Sequence, residues 1–455
     1  MNRPRRSRRP ARAELSLRRL ATFLRSPLDL YVELSRYYGD FVQIPRPGSY
    51  LLMVSDPDAI EAVLVRERDG YGKGRFLRVL GEVIGDGLIV SEGDRWRQQR
   101  RLYQPAFSPP AVRRQADAIV RVGVDHLRRW GGPIIADVHR DMEAIALDVV
   151  TETLLGREFS AEARACTTGV TTLVDHLSGI GASGIRIPAF IPTPGNRRFR
   201  RALAATKEAA MALLARARER PEARAELLDA LLRATDPEGR PLLTDEEIRD
   251  EILTVILAGH QTTALMMTFT AHQVAAHPHV QRRLQEEADR VLGGELARIE
   301  HALALTYTAA TLKEVLRLYP PVMGVDRLAL RPMTLGPHEI PAGADVAIMT
   351  YVVQRDPRWY PEPEVFRPER WLGGDAPPRF AYLPFGAGPR TCVGNHFAML
   401  EGTLLLATLA QRLHLHPTSS GPLDVVPGLT LRPRRPVSLR VEPRRPPWAP
   451  TPTNR

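Results

Sequence analysis

Cys392 stands in the run Phe385-Gly386-Ala387-Gly388-Pro389-Arg390-Thr391-Cys392-Val393-Gly394 and is one of two cysteines in a chain of 455 residues. A free thiol has a pKa of about 8.5, so a cysteine held as an anion takes a metal and backbone N–H groups aimed at its sulfur. Gly388 and Gly394 let the backbone turn tightly or approach a flat ligand, Arg390 offers a fixed cation to a carboxylate, and Phe385 can lie against a ligand's face. These residue types at this spacing suit a thiolate bound to iron. Cys166 lacks such surroundings and reads as a small buried hydrophobe.

A second stretch able to do chemistry lies inside a long helical pattern. Thr244 and Glu247 have capping-box spacing, Asp245 and Glu246 put negative charge at the N-terminal dipole, and the pattern runs on to His277-Pro278. About 33 residues at 1.5 Å each give a rod of roughly 50 Å, long enough to cross the molecule. Within it, Ala258-Gly259-His260-Gln261-Thr262-Thr263 lowers helical propensity, so something other than local stability favours these residues.

The pattern Phe-x-x-Gly-x-Arg-x-Cys-x-Gly resembles the haem-ligand signature of the cytochrome P450 family, and further motifs follow in the family's order. The resemblance implies that Cys392 is the axial ligand of a haem b iron, with Phe385, Arg390 and Gly394 in the cofactor site. Trp96-x-x-x-Arg100 is similar to the family's propionate-holding helix, which implies a hydrogen bond from the indole and a salt link from the guanidinium. Arg327 matches a second propionate-binding arginine. In the central helix the resemblance gives catalytic roles to Gly259, which leaves room beside the iron, to Gln261, and to Thr262, which donates to dioxygen through an opened turn. Glu314 and Arg317, with Arg370 from Phe366-Arg367-Pro368-Glu369-Arg370-Trp371, resemble the family's structural network that fixes the cysteine loop.

Two positions depart from the family. Gln261 replaces the usual acid, and an amide cannot ionise, so proton delivery runs through water and Thr262, or through His260 if it points inward. Gln354 stands where many relatives have His.

The activity implied is a monooxygenase that inserts one atom of O2 into a lipophilic small molecule, a terpenoid, fatty acid or polyketide. Ile191-Pro192-Thr193-Pro194-Gly195-Asn196-Arg197-Arg198 is similar to bacterial members acting on terpenoids or fatty acids. No dinucleotide-type glycine fingerprint and no cysteine cluster is present, so electrons are expected from a separate ferredoxin or flavodoxin with its reductase. Arg97 and Arg101 would attract such an acidic donor. The rival readings are a haem-thiolate peroxygenase or isomerase needing no donor, and a haem-based sensor whose basic end contacts nucleic acid. Thr262 favours dioxygen chemistry, and no nucleic-acid partner is expected.

These residues need a frame, and the patterning describes a mainly α protein with a small β region, a P450 fold of one catalytic domain over residues 26–443. Of the net charge of +11, residues 1–25 hold nine Arg and one Glu and residues 431–455 seven Arg and one Glu, leaving the body slightly acidic. Residues 1–25 and 444–455 read as disordered tails. Two cysteines rule out a disulfide framework and fit a reducing compartment. The best candidate span, Ile252 to Ala276, is broken by His260, Gln261, Thr262 and Thr263. The expectation is a cytoplasmic monomer without a transmembrane anchor. Ser26 to Gly39 and Asp58 to Arg66 read as helices, and Phe41 to Val54 as a hairpin. The glycine-rich segment Asp69 to Gly93 reads as a mobile loop, Ile180 to Pro194 as a connector between two roofing helices, and Asp345 to Val353 as sheet. Asn395 to Leu413 reads as an apolar helix whose N-terminus faces the thiolate.

Overall fold

The chain is described by a computed structural model covering residues 9–14, 16–46, 49–183, 191, 193–374 and 376–444. Its axis is the helix Asp245–Ala276, which starts where the capping residues place it. The Thr244 N–H donates to Glu247 Oε2 at 2.7 Å and the Glu247 N–H to Thr244 Oγ1 at 3.3 Å, satisfying two orphan donors of the first turn. This helix is long and apolar enough to cross a membrane, yet 83% of its apolar window is covered by the protein's own side chains, which makes it a core helix. The helices Val138–Val150, Thr306–Leu318 and Asn395–Arg412 pack around it, and Ser160–Ser183 and Pro194–Glu219 lie along each other over its N-terminal half.

The β region is a six-stranded sheet in the order 11–12, 41–46, 49–54, 345–348, 325–329, 71–73. Phe41–Arg46 and Ser49–Val54 form the expected antiparallel hairpin, although its turn residues 47 and 48 lie outside the described residues. The sheet brings the strand Tyr71–Lys73 against Val325–Ala329, so residues far apart in the chain share one sheet edge.

Three expectations about local structure change. Residues 11–25 are not a disordered tail. Ala11–Arg12 pairs in parallel with Val42 and Gln43, and the helix Leu17–Arg25 is held down by Arg19, which donates to Glu33 at 3.1 Å and to the Tyr38 hydroxyl at 2.7 Å. Residues 1–8 and 445–455 lie outside the described residues. The glycine-rich stretch is not one loop either, because Arg75–Ile84 is a helix that buries Leu80, Val83 and Ile84 on one face. Its glycines mark the boundaries, with Gly74 at the N-cap and Gly85, at φ 68°, ending the helix in a conformation that suits glycine. The third change is at Asp345–Ile348, where the strand stops and Thr350–Val353 turns helical. Of the connector expected at 180–194, residues 184–190 and 192 lie outside the described residues.

Candidate active site

The cysteine loop is clamped from three sides. The Cys392 N–H donates to the Phe385 carbonyl at 2.9 Å, which closes the loop on itself. Gly388 has φ 72°, and a Cβ there would sit 2.2 Å from the Leu64 carbonyl oxygen, so the loop approaches the 62–66 turn too closely for any side chain. Arg100 donates to the Thr391 carbonyl at 3.0 Å from the helix Gly93–Tyr103. Burial raises the Cys392 thiol's pKa, while the Gly394 N–H and the Arg100 charge pull it down. Cys392 is nevertheless accessible.

The middle of the central helix is less covered at one turn. From Ile252 to Ala271 every residue is buried except Ala258, Gly259 and Thr262. The Thr262 hydroxyl donates to the Ala258 carbonyl at 2.6 Å within a helix that runs unbroken from Asp245 to Ala276, and the hydroxyl oxygen is left as an acceptor. A Cβ on Gly259 would meet Val150 Cγ2 at 2.7 Å, so the glycine lets two helices touch. His260 does not offer a proton path to that turn. It is buried near His139 and Arg432, and burial depresses its pKa to about 4, keeping it neutral. Gln261 is buried and accepts from Thr430 Oγ1 at 3.3 Å.

A group of cations forms the next part. The Arg390 guanidinium lies 4.4 Å from the Trp96 ring centroid and donates to the Ser91 carbonyl at 2.8 Å. Arg327 pairs in register with Lys73 on the neighbouring strand. Lys73 is buried, and its backbone N–H, not its ammonium, donates to Glu92 Oε1 at 2.6 Å. Burial and the adjacent Arg390 and Arg327 charges push the lysine from its ordinary 10.5 down to about 7. The fold thus unites Trp96, Arg390, Arg327 and Lys73, whereas the described hydrogen bond of Arg100 goes to the cysteine loop.

Behind the loop the acid–arginine network is complete. Arg317 donates to Glu314 at 2.8 and 2.9 Å with both side chains wholly buried, and Arg370 Nε adds a third bond to Glu314 at 2.9 Å. The Trp371 indole and the Arg367 N–H also donate to Glu314, at 2.9 and 3.0 Å. These donors hold the carboxyl below its ordinary pKa despite burial. Gln354 links the network to the loop. Its amide donates to the Leu316 and Arg317 carbonyls and accepts from the Leu383 N–H at 2.8 Å, so it is wholly buried in a structural tie.

Lys73 escaped the sequence reading, although a lysine flanked by Gly72 and Gly74 in an arginine-rich chain was a signal. The tie made by Gln354 and the Thr430 partner of Gln261 had no local signal. Cys166 is buried, as its surroundings suggested, and burial pushes its thiol up to about 12.

An accessible thiol with a backbone N–H donor beside it and a buried surplus of cations suit a protein that holds an anionic metal cofactor through a cysteine. The cytochrome P450 family model matches residues 17–441, and the chain belongs to that family. Its cofactor is therefore a thiolate-ligated haem, and it is a P450 monooxygenase. The residues present fit the group, since Lys73, Arg327 and Arg390 outnumber Glu92 and Asp326, the two carboxylates that act on Lys73, and an anionic group would balance the excess. The chain is 33% identical to cyclooctat-9-en-7-ol 5-monooxygenase of Streptomyces melanosporofaciens, over 90% of this chain and 87% of that one. It is 32% identical to cyclooctatin synthase of the same organism, over 92% and 91%. It is 31% identical to pentalenene oxygenase of Streptomyces avermitilis, over 85% and 86%.

Proposed function

We propose that this monooxygenase hydroxylates a polycyclic terpenoid. It acts as a cytoplasmic monomer and draws electrons from a separate ferredoxin or flavodoxin and its reductase. The observation that carries the reading is the partly accessible turn in the middle of the central helix, where Ala258 and Gly259 carry no polar side chain and Thr262 adds one hydroxyl. A small apolar wall with one hydroxyl suits a hydrocarbon skeleton. The names of the relatives, which mention cyclooctat-9-en-7-ol and pentalenene, support the choice of terpenoid over fatty acid or polyketide.

When bound, the thiolate-ligated haem supplies the activation of dioxygen. The chain's own residues would then divide the remaining work. Cys392 would be the ligand, with the Gly394 N–H steadying its sulfur. Trp96, Arg327, Arg390 and Lys73 would hold the propionates. Arg100 would fix the cysteine loop, and Phe385 would line it through the carbonyl that accepts from Cys392. The hydroxyl oxygen of Thr262 would accept a hydrogen bond at that turn. Arg97 and Arg101 are exposed on the Trp96 helix and would meet the acidic electron donor.

The test is optical titration of the ferric protein with polycyclic terpenes, fatty acids and polyketide-like compounds. A low-spin to high-spin shift confined to the terpenes is the expected result. A shift produced by fatty acids or polyketides alone would overturn the substrate class.

A further inference from the structure

Glu251 is a buried acid of the central helix that the chemistry above leaves unused, and its partners come from two other elements. The Leu88 N–H donates to Glu251 Oε2 at 3.2 Å and the Tyr103 hydroxyl to the same oxygen at 2.7 Å, whereas Oε1 finds no hydrogen-bond partner within the protein. Tyr103 ends the helix Gly93–Tyr103, and Leu88 lies in the strap that joins this helix to Arg75–Ile84.

The strap rests directly on the central helix at one end. The Asp86 N–H donates to Asp250 Oδ2 at 3.0 Å, and Arg249 holds Asp250 at 2.7 Å. A Cβ on Gly85 would sit 1.9 Å from Asp250 Oδ2 and one on Gly87 2.0 Å from Thr254 Oγ1, so no side chain fits between strap and helix. At its other end the strap meets the cations, because Arg390 donates to the Ser91 carbonyl at 2.8 Å and Glu92 Oε1 accepts from the Lys73 N–H at 2.6 Å. Thr254, Ala258 and Thr262 follow one another at four-residue spacing and share one face of the helix. The strap therefore covers that face up to the turn before the partly accessible one.

We propose that Glu251 is a latch worked by protonation, which holds the strap shut over this face when neutral and favours its release when ionised, so that pH controls entry of the substrate. The assignment rests on the proposed function in one respect, that the substrate lies against Ala258 and Thr262. While the strap is shut the carboxyl is cut off from water, and this burial raises its pKa from 4.5 to about 7. Tyr103, the Leu88 N–H and the Arg95 charge oppose the rise, and the neighbouring Asp250 adds to it. Arg95 is itself paired with Glu247 at 2.7 Å. Lifting the strap removes the Leu88 donor and lets water reach both oxygens, which returns the acid towards its ordinary range. Opening thus releases a proton between those two values, becomes easier as pH rises from 4.5, and levels off above about 7.

Hydrogen exchange of the haem-loaded protein, followed by mass spectrometry and corrected for the intrinsic rate, reads the opening of residues 85–92. Exchange there should rise about tenfold or more between about pH 5 and pH 7 in the wild type and stay level in Glu251→Gln. Tyr103→Phe removes a donor that favours the ionised acid and should move the rise to higher pH, which keeps the test intact if Glu251→Gln does not fold. Binding of phenylimidazole to the iron, timed by stopped flow, should accelerate over the same range relative to Glu251→Gln, which corrects for the probe's own titration. Wild-type exchange that ignores pH, or a rise that Tyr103→Phe leaves in place, would overturn the latch. Exchange that follows pH beside a binding rate that does not would overturn its control of entry. Terpenes that leave the spin state unmoved would refute the substrate class, and the latch would stand on the exchange and binding data.

Discussion

Lys73 and Arg327 are direct partners across two antiparallel strands, which sets two cations side by side in a buried site that Arg390 makes more positive still. Like charges opposite each other destabilise a sheet, so this pairing is retained at a cost to the protein without its cofactor.

That cost has a pH signature. Lys73 titrates near 7 in the haem-free fold against 10.5 ordinarily, so between those values the unfolded chain holds more protons. The haem-free protein should therefore gain stability as pH rises from about 7 towards 10.5. Two propionates would restore the lysine's charge, so haem binding in that window should take up protons. Calorimetric titration in two buffers of different ionisation enthalpy measures the uptake, and Lys73→Met should abolish it. Equal apparent enthalpies for the wild type would refute the assignment of Lys73.

The buried pair of Glu314 and Arg317 yields a folding prediction. Glu314→Ala strands Arg317 without its counter-charge and should cost about 3–5 kcal/mol, read as loss of haem content and a lower unfolding midpoint. Because the folded carboxyl titrates below its ordinary range, the wild type should keep this contribution above the unfolded carboxylate pKa and lose it as pH falls through the folded one. Retention of full haem content by Glu314→Ala would contradict the role.

Gly259→Ala should overpack the contact with Val150 and destabilise by about 1–3 kcal/mol. Shortening the neighbour should relieve it, so the double variant Gly259→Ala, Val150→Ala should be more stable than the sum of the single changes allows. Urea unfolding of the four proteins measures the coupling, and strict additivity would mean that the two helices do not meet there.

Gln261→Glu should raise the coupling of reductant to product. The carboxylate keeps an acceptor for Thr430, gains attraction from the Arg432 charge nearby, and can exchange protons where the amide cannot. Product formed per reductant consumed is the readout, and an unchanged ratio would show that the amide already serves as well as an acid.

Much of this molecule was legible in its residues because the relevant physics is local. The capping box at Thr244 and Glu247, the three-residue spacing of Glu314 and Arg317, and the setting of Cys392 depend on neighbours within a few positions along the chain. Such neighbours meet whatever the rest of the fold does. The sequence by itself therefore determined the central helix, the cysteine loop and the acid–arginine pair.

Only the tertiary structure decided which distant groups meet. It placed Arg390 over Trp96, Lys73 beside Arg327 and Val150 against Gly259. It also gave residues 11–25 a sheet edge and a helix partner, where composition suggested a solvated tail. None of these contacts has a periodicity or a spacing to betray it. Each arises when separate elements are packed to one density, and that packing fixes whether a cation finds a counter-charge and an acid finds water.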